Sequence, residues 1–332
     1  MIAGPGWVAG EHIKAYLADD RTEIRAVVGT MPEDRARAAG YMEKRGFKCD
    51  YIEDYGAALR REDIDVVAIC TISSMHFAQA LAALQAGKHV FVEKPLCLGL
   101  DELKALRSAS QGKRVRTHVG HICRYYPAAR GIFDFVRDGG IGEVFYAESD
   151  YWHEIVGPWK VAAATAGSAL LMGGVHSVDM MRWLIGEDRP AREVVAYAQG
   201  SRRRKDFDYD PTICMMVRFD DAVGKVATSL ECDMPYVFHL HACGTAGAVR
   251  ENGLFSDRFP GQKRFMALPA DYPDDWDVAR HPFSTEVNYF VNCIVNGEES
   301  ELSFGRAYAT YELIFAAELS AKAGRPVKLP LA

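Results

Sequence analysis

From Met1 to about His121 short apolar runs alternate with segments of helical spacing, and this alternation constrains the fold more than any other feature of the chain. The runs are Met1-Ile2-Ala3, Glu23 to Val28, Val66-Val67-Ala68-Ile69-Cys70 and His89-Val90-Phe91-Val92. Between them Glu11 to Leu17, Arg35 to Lys44, Asp54 to Arg61 and Phe77 to Ala86 read as helices. Val66 to Cys70 has no polar alternation, which suits a parallel strand buried on both faces. Strand and helix in strict succession predict a doubly wound, Rossmann-type parallel sheet.

The turn after the first run reads Gly4-Pro5-Gly6-Trp7-Val8-Ala9, a G-x-G-x-x-A pattern that opens a helix. Gly4 permits a tight turn, Gly6 a close approach of phosphates, and Ala9 the packing of helix on strand. The backbone of Trp7 and Val8 then offers N–H groups to a dinucleotide pyrophosphate. Only three residues precede Gly4, whereas strands average about 5–6, so the natural start of this strand is expected upstream of Met1. After the second run the chain continues Val28-Gly29-Thr30-Met31 without a carboxylate at the strand tip, which leaves NAD and NADP both open.

His89-Val90-Phe91-Val92 runs straight into Glu93-Lys94-Pro95, so a strand ends where charge begins. Ligands of open α/β sheets collect outside the carboxyl ends of the strands, which is where Lys94 stands. Pro95 holds Lys94 extended, and the bond between them is a candidate for the cis form.

Past residue 122 the texture changes. A helix over Tyr126 to Asp138 precedes longer strands at Gly142 to Tyr151, Glu193 to Gln199, Thr212 to Phe219, Lys225 to Asp233 and Phe238 to Cys243. Later strands without intervening helices predict an α+β domain with a large, mostly antiparallel sheet. Pro282 to Val295 and Gly305 to Ala323 read as closing helices. The predicted domains are therefore 1–121, for a dinucleotide, and 122–332, for a substrate and self-association.

A chain of 332 residues with net charge -6 lacks the basic surface that nucleic acid requires. Its one basic cluster, Arg202-Arg203-Arg204-Lys205, is followed at once by Asp206, Asp208 and Asp210, and reads as a solvated loop. The eight cysteines show no C-x-x-C spacing, and no apolar run approaches a membrane span. These features predict a cytoplasmic protein without nucleic-acid or membrane partners. His118-x-x-His121 and His239-x-His241 each lack a third ligand at a recognisable spacing, so no metal is expected.

Taken together, Gly4-x-Gly6-x-x-Ala9 with His12, Thr71 to His76, Ala86-Gly87-Lys88-His89-Val90 into Glu93-Lys94-Pro95, and Gly167 through Asp179 resemble the glucose-fructose oxidoreductase, inositol dehydrogenase and MocA family. The resemblance implies NAD or NADP in the first domain and a sugar, polyol or related ketone as substrate, lying between the domains. It further implies a homo-oligomer, dimer or tetramer, formed through the C-terminal sheet. Lys94 and His176 are the implied catalytic residues, with Asp179 beside His176. Cofactor contacts are expected at Gly4, Gly6, Trp7, Val8, Ala9, Gly29, Thr30, Thr71, Ser73, His76, Glu93, Lys94, Pro95, Trp159 and Lys160. Arg124, Asp179, Tyr151, Trp152 and His153 are the expected substrate contacts.

The chemistry of these side chains agrees with hydride transfer. Oxidising a secondary alcohol releases a hydride from carbon and a proton from oxygen, and an imidazole titrates near neutrality, at about 6.5. Lys94 as an ammonium suits developing negative charge on oxygen. Asp179, three positions beyond His176, is expected to orient it. Aromatic faces at Tyr151, Trp152 and Trp159 suit the C–H surfaces of a sugar. Many catalytic members of the family carry a carboxylate four positions before the histidine, where this chain has Met172. Two other functions therefore stay open: a dinucleotide-binding regulator without net turnover, and an NAD-dependent glycosidase that oxidises its substrate transiently.

Overall fold

The computed structural model describes residues 1–269, 272 and 278–332. They form two units, the first comprising Met1–Gly120 with Pro282–Tyr308 and the second His121–His281 with Ala309–Ala332. Among the described residues no helix is long and apolar enough to cross a membrane.

The first unit is built on six parallel strands: β1 (Ile2–Ala3), β2 (Ala26–Val28), β3 (Asp50–Ile52), β4 (Val66–Ile69), β5 (His89–Glu93) and β6 (Thr117–Gly120). Helices α1 (Trp7–Leu17), α2 (Pro32–Glu43), α3 (Tyr55–Leu59), α4 (Ser73–Gln85) and α5 (Leu100–Ser110) make the crossovers. The strand order 3-2-1-4-5-6 reverses between β1 and β4, which makes their carboxyl ends the switch point where doubly wound sheets bind ligands. The central strands are apolar throughout, with Val67, Ile69, Val90, Phe91 and Val92 inaccessible to solvent. The short strands β3 and β6 escape a search for apolar runs, because Asp50 and Tyr51 face water at a sheet edge and Thr117-His118 is polar. His118 is nevertheless buried, its Nδ1 2.7 Å from Ser300 Oγ and its Nε2 3.3 Å from Glu286.

The second unit opens with α6 (Pro127–Arg137) and the long strand β7 (Val144–Trp152). A short α7 (Ala163–Ala166), a π-helical turn at Leu170–Gly174 and α8 (Val175–Ile185) follow. The meander β8 (Glu193–Gln199), β9 (Thr212–Arg218) and β10 (Val223–Ser229) leads to β11 (Val237–Gly244), β12 (Gly247–Arg250), β13 (Gly253–Ser256) and β14 (Met266–Ala267). The last elements are α9 (Phe283–Asn296), α10 (Phe304–Ala323) and β15 (Val327–Lys328). Nine strands join in the order β14-β13-β12-β11-β7-β10-β9-β8-β15. All neighbours are antiparallel except β7 and β10, which pair in parallel.

α8 lies against this sheet, and small residues permit the approach. A Cβ on Gly173 would stand 2.5 Å from the Tyr151 ring, one on Gly174 2.5 Å from Thr228 Oγ1, and one on Gly224 2.4 Å from Met181 Sδ.

The chain returns to the first unit after the second begins, Pro282–Tyr308 joining Met1–Gly120. α9 belongs to the first unit, where it packs against α1 and sets Phe290 on Phe91 of β5 and His118 of β6. Phe290 is inaccessible to solvent and meets Phe91 edge-on at 5.8 Å, while Phe283 meets Trp7 at 6.5 Å. We predict that Phe290→Ala costs the first unit about 3–5 kcal/mol. Amide exchange of β5 and β6 should accelerate accordingly, while β7–β11 stay protected.

Candidate functional site

In the first unit the glycine turn stands at the switch point. Gly4 has φ +82°, and its N–H donates to Val28 O at 2.9 Å. A Cβ there would lie 2.5 Å from Thr71 Cγ2, so the turn after β1 and the turn after β4 touch backbone to backbone. Gly6 precedes α1 in extended geometry without a side-chain cap, and nothing lies within 4 Å of where its Cβ would be. Open space before uncapped helix N–H groups is the arrangement a pyrophosphate needs, so the residues present fit a dinucleotide. Ala9 is fully buried and Trp7 exposed. Gly29 closes the cradle, since a Cβ on it would meet Pro5 at 2.8 Å; Thr30 beside it is exposed.

The Lys94–Pro95 peptide is cis. Pro95 O is 2.6 Å from His76 Nδ1, and Thr71 O is 3.0 Å from His76 Nε2. His76 is buried between the two loops, and burial disfavours its charged form, so one ring nitrogen donates to one of these oxygens while the other only lies near the second. Thr71 Oγ1 bonds Gln79 at 2.7 Å, and Ser73 is buried at the start of α4.

Glu93 is paired in a way the linear pattern hides. Its Oε1 lies 2.8 Å from His12 Nε2, a side chain inaccessible to solvent. Burial disfavours both charges, yet the acceptors Cys70 and Glu93 hold His12 well above the ordinary imidazole range. His12, and Lys94 more weakly, hold Glu93 below the usual carboxylate range against the same burial.

In the second unit every residue of α8 is buried, including His176, Asp179 and Arg182. Asp179 does not serve His176 in the manner expected from their spacing. Its carboxylate accepts from Arg124 at 2.6 and 2.8 Å and from Thr310 at 3.4 Å, with His121 Nδ1 3.1 Å away. Burial alone would raise Asp179; Arg124 and His121 instead hold it far below the carboxylate range. Arg124 also donates to Glu187 at 2.7 Å and lies 5.0 Å over the Trp183 ring. At 1% exposure it holds α8 in place and is not a surface group reaching for hydroxyls. The i, i+3 spacing put Asp179 on the face of His176, but a distant arginine claimed the carboxylate.

His176 lies among rings: Tyr151 near-parallel at 6.3 Å and His121 edge-on at 6.2 Å. Tyr151 Oη is 3.0 Å from His153 Nδ1, and His153 stacks on Tyr236 at 4.3 Å. Tyr236 was not foreseen, since a lone tyrosine between strands carries no pattern. Trp152 and His153 are half-buried and Met172 is buried in the π-helical turn. Trp159 is exposed, with Lys160 5.6 Å over its ring; burial lowers the Lys160 ammonium below its usual range. His239 pairs with Glu251 at 3.0 Å and His241 with Glu148 at 3.5 Å. Among the described residues no three His, Cys, Asp or Glu side chains gather as metal ligands.

Comparison with known proteins bears on both units. Residues 1–121 match the family model described as an oxidoreductase family with an NAD-binding Rossmann fold, and residues 130–250 match the GFO/IDH/MocA C-terminal domain. The chain belongs to the GFO/IDH/MocA family of oxidoreductases. It is 25% identical to inositol 2-dehydrogenase 3 of Saccharopolyspora erythraea, over 99% of this chain and 95% of that protein. Levoglucosan dehydrogenase of Pseudarthrobacter phenanthrenivorans is 28% identical over 75% of this chain and 72% of that one. A structure of levoglucosan dehydrogenase with NADH and levoglucosan superposes with a TM-score of 0.87 at 24% identity, over 99% of this chain and 98% of the other. At that identity the superposition shows the shared fold of this family.

Three substitutions test these geometries. Gly4→Ala should destabilise the first unit by at least about 1–2 kcal/mol, from the left-handed backbone alone. Gly6→Ala should stay within about 0.5 kcal/mol of wild type in stability and still weaken NAD binding, as read by denaturation and fluorescence titration. Asp179→Asn should cost about 3–5 kcal/mol by stranding Arg124. Because Asp179 is held below its ordinary value of 3.8, its stabilisation is full above that pH and fades as pH falls toward the folded value. The deficit of Asp179→Asn in thermal unfolding, followed by Trp183 fluorescence, should therefore persist at pH 5 and narrow only in stronger acid.

Proposed function

We propose that this oxidoreductase acts on a hydroxyl or ketone carbon of a sugar or polyol, with Lys94 and His176 handling the oxygen. The observation that carries the reading is Lys94 itself. It stands at the carboxyl end of β5, in the same unit as the Gly4–Gly6 cradle, on a peptide held by His76. NAD held at the Gly4–Gly6 cradle would supply the hydride acceptor or donor for the substrate carbon. Lys94 as an ammonium stabilises negative charge growing on the oxygen. His176 exchanges the oxygen's proton, its ring kept in place by Tyr151 and His121. Met172 brings no charge to this histidine. Trp152 and His153 are assigned to the substrate, and Trp159 and Lys160 to sugar or cofactor, on the chemistry of their aromatic faces and polar tips. Asp179 and Arg124 anchor α8, the helix that carries His176.

The same reading includes self-association through the outer face of the nine-stranded sheet. Tyr197 and Met216 expose 72% and 53% of their surface there, on adjacent strands, more apolar surface than an uncovered sheet face usually carries. The eight cysteines all stand as free thiols, which suits a reducing compartment, the cytoplasm.

The test is the reduced-nicotinamide absorbance band, followed with NAD and a panel of sugars and polyols. Net reduction is the expected result. Retained NAD binding without turnover supports a regulator, and sugar release without net reduction a glycosidase. Lys94→Ala should lower kcat by about 10²–10³-fold with NAD affinity unchanged; wild-type turnover in that variant overturns the mechanism.

A further inference from the structure

Gly29 ends β2 at the place where a doubly wound site commonly carries the carboxylate that binds the adenosine ribose. A side chain there would collide with the cradle itself. A Cβ on Gly29 would stand 2.8 and 2.9 Å from Cγ and Cδ of Pro5, the residue between Gly4 and Gly6. The same point lies 3.5 Å from Cβ of Asp34. Asp34 is in the first turn of α2, its N–H donating to Met31 O at 3.1 Å. Its side chain therefore starts beside the one that the strand tip lacks.

The charges around this point disfavour a phosphate. The Gly29 N–H donates to Ile52 O at 3.1 Å, which sets Glu53 at the end of the neighbouring strand, where it pairs with Arg35. Arg37 stands 3.4 Å from Asp34, and both side chains are substantially exposed. Such an exposed pair is weak and leaves the carboxylate available to a ligand. Glu33 is exposed in the same turn. Three carboxylates, Glu33, Asp34 and Glu53, against two guanidinium groups, Arg35 and Arg37, leave one negative charge in excess, and each arginine already faces an acid.

We propose that Asp34 is the residue that selects the dinucleotide. Its carboxylate accepts hydrogen bonds from the adenosine ribose hydroxyls of NAD and repels the 2'-phosphate of NADP, so that α2 takes over the part that Pro5 bars from β2. This rests on the reading of the Gly4–Gly6 turn as the dinucleotide cradle, and is independent of Lys94 and of the substrate. A hydroxyl pair complements a carboxylate, whereas a phosphate monoester brings about -1.5 to -2 charges to a point already in negative excess. Specificity built on such a repulsive element needs no added contact to the preferred partner.

Calorimetric titration of the full-length protein, freed of bound nucleotide, with NAD and with NADP tests this without any turnover. Wild type should bind NAD at least about tenfold more tightly than NADP. Asp34→Asn should move the two affinities in opposite directions, weakening NAD and tightening NADP, and reduce their ratio by about tenfold. A merely structural role would shift both the same way. Pro5→Ala and Gly29→Asp, added to Asp34→Asn, clear the strand tip and return a carboxylate to it, and should restore the preference for NAD. Equal affinities in wild type, or a ratio that Asp34→Asn leaves unmoved, overturn the proposal. A folded triple variant without the preference overturns the exchange of roles between strand and helix; if that variant fails to fold, Asp34→Asn decides alone. Binding of neither dinucleotide would overturn the cradle and this proposal with it, whereas failure to turn over sugars would sink only the catalytic reading.

Discussion

Backbone brought closer than a Cβ allows is the constraint on which both units depend. In the first, the turn after β1 meets the turn after β4 at Gly4 and Thr71, and this contact creates the switch-point cradle. A larger residue at Gly4 would separate the two central strands and draw the N-terminus of α1 away from the sheet edge. In the second, Gly173, Gly174 and Gly224 let α8 and its preceding turn settle onto β7 and β10. His176 comes within reach of the Tyr151 ring only because no side chains stand between helix and sheet.

Close approach has an electrostatic consequence. Elements packed this tightly exclude water, so the charges they carry need partners. Arg124 and Asp179 meet one such need, with Glu187, His121 and Thr310 completing the set. His12 and Glu93 meet the other. Each cluster adjoins a residue assigned to the chemistry, Lys94 in one unit and His176 in the other, and each is made by side chains far apart in the chain.

The elements most legible in the sequence are those with strong local periodicity. Glu193–Gln199 is a strand with the expected limits, and α9 and α10 fall within a residue or so of their expected ends. β3, β6 and β12–β15 were not legible, because they are short and borrow their apolar contacts from neighbours. The parallel pairing of β7 with β10 was likewise hidden, since alternation along a strand does not state the direction of its partner.

What the sequence determined alone are features whose cause is local. The doubly wound unit follows from period, the phosphate cradle from glycines that need positive φ or open space, and the place of Lys94 from a strand that ends in charge. Tertiary structure decided which charge meets which. Asp179 serves Arg124, from 55 positions away, Glu93 finds His12 from 81, and His76 packs between the backbone carbonyls of Thr71 and Pro95. Ionic and hydrogen-bonding partners are chosen by distance and burial after the strands are ordered, and neither quantity is written in the spacing of residues along a chain.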